Sequence, residues 1–264
     1  MSIDPSCAEQ GVSVHRAGLH CYTPRPMASD GPKPLGENSA YPQAVAALSP
    51  ATTPGWAARR RLASAMRRVI DDLVLTEAPA EEIERAADAL EAFAAGLGAH
   101  PRRSGLEGYA EAANSGDVKA FFDQSPMIGR SNPLAPPISL EAESERVTGS
   151  VVFGSAYEGP PRHVHGGFVA AAFDEILGFA QSLTGAPGMT ARLEVRYRRP
   201  TPLHMPLQLE ATVDRIDGRK IVATASMRCD GEITAEAEGL FISVDPARFR
   251  GIVEAARRRT EGEG

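Results

Sequence analysis

Several things are scarce in this sequence of 264 residues, and each scarcity argues against a class of protein. The three cysteines, Cys7, Cys21 and Cys229, are odd in number and match no metal-binding spacing. They predict free thiols in a reducing compartment, with no disulfide framework and no metal site. No run of about 18 apolar residues occurs, so no membrane-spanning helix is predicted.

Positive charge and familiar catalytic motifs are also lacking. The formal net charge is -6, which argues against a general nucleic-acid binder. The sequence contains no G-x-S-x-G, no H-E-x-x-H, no phosphate loop and no dinucleotide-binding glycine pattern, which disfavours the common serine hydrolase, zinc protease and nucleotide-binding classes. The first residues, MSIDPSCAEQ, do not resemble a signal peptide, so a cytoplasmic location is expected.

Composition and periodicity divide the chain into five predicted segments. The first, rich in Pro, Gly, Ser and Ala, has no sustained periodicity and predicts an irregular or disordered tail. The second repeats apolar residues at helical spacing on both sides of Pro79, which predicts a helical hairpin. A linker, a main domain and a charged tail follow. The predicted bounds are 1–52, 53–100, 101–117, 118–248 and 249–264.

The main domain is predicted to be α+β. Residues 138–159 indicate two strands, and Leu193, Val195 and Tyr197 alternate with charged residues, as in a strand with one buried face. Asp-Gly pairs at 217–218 and 230–231 lie between strand-like runs and predict hairpins. The expected order is therefore strands, one long helix, and then a meander of about four antiparallel strands. The absence of helices among the later strands argues against a doubly wound parallel sheet.

The predicted helix GFVAAAFDEILGFAQSL is apolar around nearly its whole circumference, which is typical of a buried helix. Its ionisable residues are Asp174 and Glu175. A buried carboxylate is normally paired, protonated or placed at a wet functional pocket. Either residue therefore caps a loop or pairs with an arginine, or belongs to a functional site.

His165, Gly166 and Gly167 precede or open this helix, where free N–H groups and the helix dipole favour developing negative charge. A purely steric glycine turn is the alternative. Gly166 and Asp174 are eight residues apart, or roughly 12 Å along a helix, too far for both to act on one carbonyl within one chain. The two residues therefore either share no chemistry or meet across a symmetric dimer.

The run HGGFVAAAFDEILG followed by GMTARLEVRYRRPTPL resembles the PaaI-type acyl-CoA thioesterases of the thioesterase superfamily, over about residues 120–245. The resemblance implies a hot-dog fold, an antiparallel sheet wrapped around one long helix. It implies that the Gly166 N–H polarises the thioester carbonyl and that Asp174 of the partner subunit acts as base or nucleophile. The Thr190 hydroxyl would help to place water, and His165 would orient the site.

The resemblance also implies an acyl-CoA substrate, a homodimer or higher homo-oligomer, and no metal or cofactor beyond the coenzyme A of the substrate. We expect substrate contacts from Gly167, Arg196, Arg198 and Arg199, the arginines meeting the coenzyme A phosphates. A solvated strand face is the alternative for the arginines. A 3-hydroxyacyl-thioester dehydratase and a non-catalytic acyl-CoA-binding module remain alternative functions. The hairpin would either cover the acyl tunnel or add a subunit contact.

Overall fold

The computed structural model describes residues 54–101, 123–136, 138–143, 146–186 and 188–243. The predicted N-terminal tail, nearly all of the linker and the charged C-terminal tail lie outside these residues, so their bounds stay predictions. No helix in the described ranges has the length and apolar character needed to cross a membrane.

The described residues contain three α-helices, one 3-10 turn and six strands. The helices are α1, Pro54–Leu73, α2, Ala80–Gly98, and α3, Gly166–Ser182. The 3-10 turn is Ser155–Tyr157. The strands are β1, Ser139–Glu143, β2, Arg146–Val151, β3, Gly188–Tyr197, β4, Leu207–Asp217, β5, Lys220–Cys229, and β6, Glu232–Ser243.

The strands form one antiparallel sheet in the order β1-β2-β4-β5-β6-β3. The sheet with its one long helix confirms the predicted α+β hot-dog fold. The expected meander is wrong in one respect, because β3 does not pair with β4, the next strand in sequence. Strand β3 instead pairs with β6 and forms an edge of the sheet. Alternation within a strand carries no information about which neighbour it pairs with, so the sequence did not reveal this crossover.

Both predicted hairpins are present. Strands β5 and β6 are joined by Asp230 and Gly231, which both have positive φ, 50° and 82°. Positive φ at both loop positions is the pattern of a type I′ turn, which suits the twist of paired strands. Gly218, with φ of 57°, opens the tight connection between β4 and β5.

The core forms between one face of the sheet and helix α3. Phe173, Ile176 and Leu177 of the helix are fully buried, as are Phe153 and Phe241 on the sheet side. Each such side chain contributes roughly 1.5–3 kcal/mol through removal of apolar surface from water. The helix is therefore firmly seated, and the groups on its remaining exposed stripe have fixed positions.

The predicted hairpin forms two helices with different surroundings. Helix α1 is tied to the sheet domain, because Arg60 donates to both carboxylate oxygens of the buried Asp123, at 3.0 and 2.9 Å. The Asp71 carboxylate accepts from the Ala156 N–H at 3.0 Å. Helix α2 has no buried residue. Its apolar side chains, such as Phe93, are exposed. The hairpin was expected to pack on the domain, and in the structure α1 does so but α2 does not.

Candidate active site

The N-terminus of α3 is capped by the side chain of His165. Its Nδ1 accepts a hydrogen bond from the Gly167 N–H at 3.0 Å. Because Nδ1 accepts, the proton of the neutral ring lies on Nε2. The Gly166 N–H has no hydrogen-bond partner among the residues that the structure describes. Both glycine amides were expected to be free. In the structure the Gly166 N–H is available to a ligand, whereas the Gly167 N–H is already bonded to His165.

Two glycines leave room for the His165 ring. A Cβ at Gly167 would lie 3.1 Å from His165 Nδ1, and a Cβ at Gly159 would lie 2.7 Å from His165 Cα. The first contact would displace the ring from the amide that it caps. The second would meet main-chain atoms, which cannot move aside as a flexible side chain would. The position of His165 thus depends on glycine on both sides.

The carbonyl of Gly166 is held from a different direction. The Tyr197 hydroxyl, at the end of β3, donates to the Gly166 carbonyl oxygen at 2.8 Å. The phenol ring lies against the glycine, and a Cβ at Gly166 would be 3.4 Å from the Tyr197 oxygen. The first turn of the helix is therefore braced by a residue that is distant in sequence.

Asp174 lies two turns further along α3 and is exposed in the single chain. The expectation that both carboxylates are buried is therefore wrong for Asp174. Ala170, Ala171 and Gly178, which lie on the same side of the helix, are partly buried. The Thr190 hydroxyl of β3 donates to Asp174 Oδ1 at 2.8 Å, so the structure brings together these two predicted site residues.

Glu175 is the less accessible of the two carboxylates and is partly buried. Burial raises the pKa of Glu175 to about 7. The hydrogen bond from the Ser125 hydroxyl, at 3.3 Å, opposes this rise, and the negative charge of Asp174 adds to it. Ser125 belongs to a turn and also accepts from the N–H groups of Met127 and Ile128. Glu175 thus ties α3 to the preceding loop through Ser125.

The end of α3 fixes the start of β3. Gln181 is buried, and its Oε1 accepts from the Gly188 N–H at 3.1 Å. Gly188 approaches β6 closely, because a Cβ there would lie 2.6 Å from the Ile242 carbonyl oxygen. Strand β3 therefore starts beside the C-terminus of α3 and runs back toward its N-terminus, which carries Thr190 to Asp174 and Tyr197 to Gly166.

The predicted coenzyme A arginines all have carboxylate partners within the chain. Arg196 pairs with Glu194 at 2.8 Å, Arg198 pairs with Glu236 at 2.7 Å, and Arg199 pairs with Glu232. All of these side chains are exposed, so each pair contributes little to stability. A phosphate group would have to compete with these carboxylates. The assignment of the three arginines to substrate binding stays a prediction.

A metal site is not apparent in the part of the chain that the structure describes, where no cluster of three or more His, Cys, Asp or Glu could hold an ion. The acid, the hydroxyl and the helix amide are the groups available for chemistry. The acid and the hydroxyl can position a water and accept its proton, and the amide can stabilise an oxyanion, but acid and amide of one chain are roughly 12 Å apart along the helix.

Sequence reasoning missed three residues that shape the site: Gly159, Gln181 and Tyr197. Tyr197 could have been found, because it falls in the run TARLEVRYRRP that carries the resemblance and alternates with the charged residues of β3. Gly159 and Gln181 carry no such signal, because their contacts with His165 and Gly188 cannot be predicted from the periodicity of the sequence.

Comparisons with known proteins identify the family of this chain. The thioesterase superfamily model matches residues 162–236. A crystal structure described as a thioesterase superfamily protein is 38% identical, with a TM-score of 0.62, over 70% of this chain and 90% of that one. The chain therefore belongs to the thioesterase superfamily.

Two further relatives have assigned activities. Acyl-coenzyme A thioesterase THEM4 of Bos taurus is 36% identical over 114 residues, which is 42% of this chain and 47% of that protein. Acyl-coenzyme A thioesterase THEM5 of Homo sapiens is 29% identical over 93 residues, 34% of this chain and 38% of that protein. The chain thus spans less than half the length of either relative.

Proposed function

We propose that this protein hydrolyses acyl-CoA thioesters to the free acid and CoA, at a site built by two subunits. The observation that carries the proposal is the arrangement along α3. The Gly166 amide and the Asp174 carboxylate both reach the surface beside β3, but they are roughly 12 Å apart along the helix axis. One thioester carbonyl needs both groups within a few ångströms, so each must come from a different chain.

The edge strand supports a symmetric pairing of two chains. Strand β3 spans Gly188–Tyr197 and ends the sheet, and most of its residues are exposed. A long edge strand with unpaired backbone groups is a template for another strand. Met189 and Tyr197 on this strand are more than half exposed. Two-fold pairing through β3 would cover them and bring Asp174 of each chain toward the partner helix.

The proposed mechanism uses Asp174 as a general base. Thr190 occupies Oδ1, which leaves Oδ2 to accept a proton from a water molecule. The oxygen of that water attacks the thioester carbonyl, and the resulting oxyanion is stabilised by the Gly166 N–H of the partner chain. The C–S bond then breaks, and the departing CoA sulfur takes the proton from Asp174. General base catalysis typically contributes ~10²–10⁴-fold, and one oxyanion donor about 3–4 kcal/mol.

The substrate class rests on two supports. The relatives are named acyl-coenzyme A thioesterases. A thioester is also already activated, so a water, a base and one oxyanion donor suffice for its hydrolysis. The buried free thiol of Cys229 is compatible with a reducing compartment, and we propose the cytoplasm.

The test is a thiol-release assay over acyl-CoA esters of increasing chain length, with wild type and Asp174→Asn. We expect turnover by the wild type and a loss of about 10²–10⁴-fold in the variant. Because Asp174 is exposed in the single chain and asparagine has nearly the same shape, the variant should keep its melting temperature and its affinity for acyl-CoA. Asp214→Asn, at an exposed acid on β4, is the matched control and should keep full activity.

The assay also separates the alternatives. A dehydratase would consume 3-hydroxyacyl thioesters without releasing thiol, and a binding module would bind the esters and leave them intact. Turnover by Asp174→Asn equal to that of the wild type would contradict the proposed mechanism.

A further inference from the structure

We propose that Tyr197 is a positioning residue, which sets the oxyanion amide of Gly166 through the hydrogen bond from its hydroxyl to the Gly166 carbonyl. The inference rests on the proposed function and adds to it a residue outside the acid, the hydroxyl and the helix amide. It starts from the contact at 2.8 Å between Tyr197 and Gly166, and from the path of β3 along α3.

Gly166 needs external support because glycine restricts its own backbone torsions least of all residues. The peptide group that links Gly166 to Gly167 is held at both ends. Its oxygen accepts from Tyr197 at 2.8 Å, and its N–H donates to His165 Nδ1 at 3.0 Å. These two bonds fix the first turn of the helix, and with it the direction of the preceding Gly166 N–H.

A bulge in β3 brings Tyr197 to the face where this contact is possible. Thr190 and Tyr197 are seven residues apart, so regular alternation would place them on opposite faces of the sheet. The pairing with β6 shifts between Thr190 and Arg192, which leaves Ala191 as an extra residue. Bulges re-aim side chains and are common beside active sites.

The register with β6 confirms that the two side chains share a face. Thr190 lies opposite Phe241 and Tyr197 lies opposite Ala235, and both partners are buried in the core on the helix side. The bulge therefore lets one strand hold Asp174 through Thr190 and Gly166 through Tyr197. Both halves of the proposed site depend on the same strand, at the same sheet edge that would pair with a partner.

The contact is not a by-product of burying the ring. Tyr197 is 55% exposed in the single chain, so packing within the chain does not fix the ring's direction. Removing the hydroxyl should leave the fold intact and loosen the helix N-terminus. The expected effect is therefore on the chemical step rather than on stability or substrate affinity.

The experiment compares wild type, Tyr197→Phe and Tyr157→Phe in the thiol-release assay, with KM, kcat and melting temperature for each. Tyr157 is the matched control, because its hydroxyl also donates to a main-chain carbonyl, that of Leu134, at 3.1 Å. We expect Tyr197→Phe to lower kcat about tenfold, since small misplacements of catalytic groups cost up to ~10²-fold in rate. KM and melting temperature should stay near wild type, and the factor should be the same for every acyl chain length.

The outcomes are distinguishable. A wild type without activity on any ester overturns the proposed function and this inference with it. An active wild type with unchanged kcat in Tyr197→Phe overturns the inference alone. A fall in kcat that is matched by Tyr157→Phe, or that tracks a fall in melting temperature, also overturns it, because a structural role would then explain the result.

Discussion

Thr190 donates a 2.8 Å hydrogen bond to Oδ1 of Asp174, sixteen residues earlier in the chain. The bond joins the edge strand β3 to the middle of helix α3. It restricts rotation of the carboxylate and commits one oxygen to the hydroxyl. In the proposed mechanism, the direction of the other oxygen therefore depends on Thr190.

Replacing Thr190 by valine should lower kcat about tenfold and leave KM and the fold nearly unchanged. Valine keeps the shape and the strand preference of threonine but removes the hydroxyl, so the carboxylate loses its orientation and not its charge. The measurement is steady-state kinetics with the best acyl-CoA ester. Thr224→Val, at an exposed position on β5, is the control. Full activity of Thr190→Val would show that the contact has no catalytic role.

Glu175 should make the protein less stable as the pH rises from about 4.5 to about 7. Burial raises its pKa from an ordinary value of about 4.5 to about 7 in the folded chain, so the folded state binds more protons in this window than the unfolded state. The free energy of unfolding therefore falls with rising pH, and the loss is complete above the folded pKa. The shift corresponds to at most about 3 kcal/mol.

Glu175→Gln should remove this slope, because glutamine stays neutral at every pH. The variant should be more stable than wild type at pH 8 by up to about 3 kcal/mol, and close to wild type near pH 4.5. Urea denaturation at several pH values measures the difference. Parallel pH dependence in the two proteins would mean that Glu175 is not the buried carboxyl that titrates.

The three arginines at the end of β3 should affect substrate binding and not turnover. If Arg196, Arg198 or Arg199 meets the CoA phosphates, its change to alanine should raise KM several-fold, and the effect should shrink at high salt because exposed charges are screened. A thioester of a short thiol without phosphates should show no such change. Arg215→Ala, at an exposed ion pair on β4, is the control. If KM is unchanged in all three variants, the arginines do not bind the substrate and only form surface ion pairs with their carboxylate partners.

The elements with strong local signals were predictable from the sequence. The Asp-Gly hairpins follow from residues that tolerate positive φ, and α3 follows from its length and apolar character. The resemblance placed Asp174 and Thr190 in one site, but their hydrogen bond was not predicted, since sixteen residues of helix, turn and strand separate them.

Contacts that depend on the path of the chain were not predictable. The sequence does not indicate that β3 lies beside β6, because alternation within a strand does not identify its neighbour. The bulge at Ala191 changes which side chains of β3 face the helix, and no residue type at this position predicts a bulge. The exposure of Asp174 was not predictable for a related reason, because the apolar character of α3 does not show which of its residues the sheet covers.

The central claim is that the acid and the oxyanion amide of one site come from different chains, and a hybrid dimer tests it most directly. Gly166→Pro removes the N–H at the first helical position, where proline is well tolerated, and the extended backbone of His165 suits a following proline. Gly166→Ala keeps the N–H and serves as its control.

Asp174→Asn and Gly166→Pro chains, carrying different affinity tags, are co-expressed and purified as the mixed dimer. Each pure variant should be inactive. In the mixed dimer, one site receives an intact acid from one chain and an intact amide from the other, so we predict about half of the wild-type activity. A mixed dimer no more active than its two parents would contradict the account, as would a chain that stays monomeric while it hydrolyses acyl-CoA.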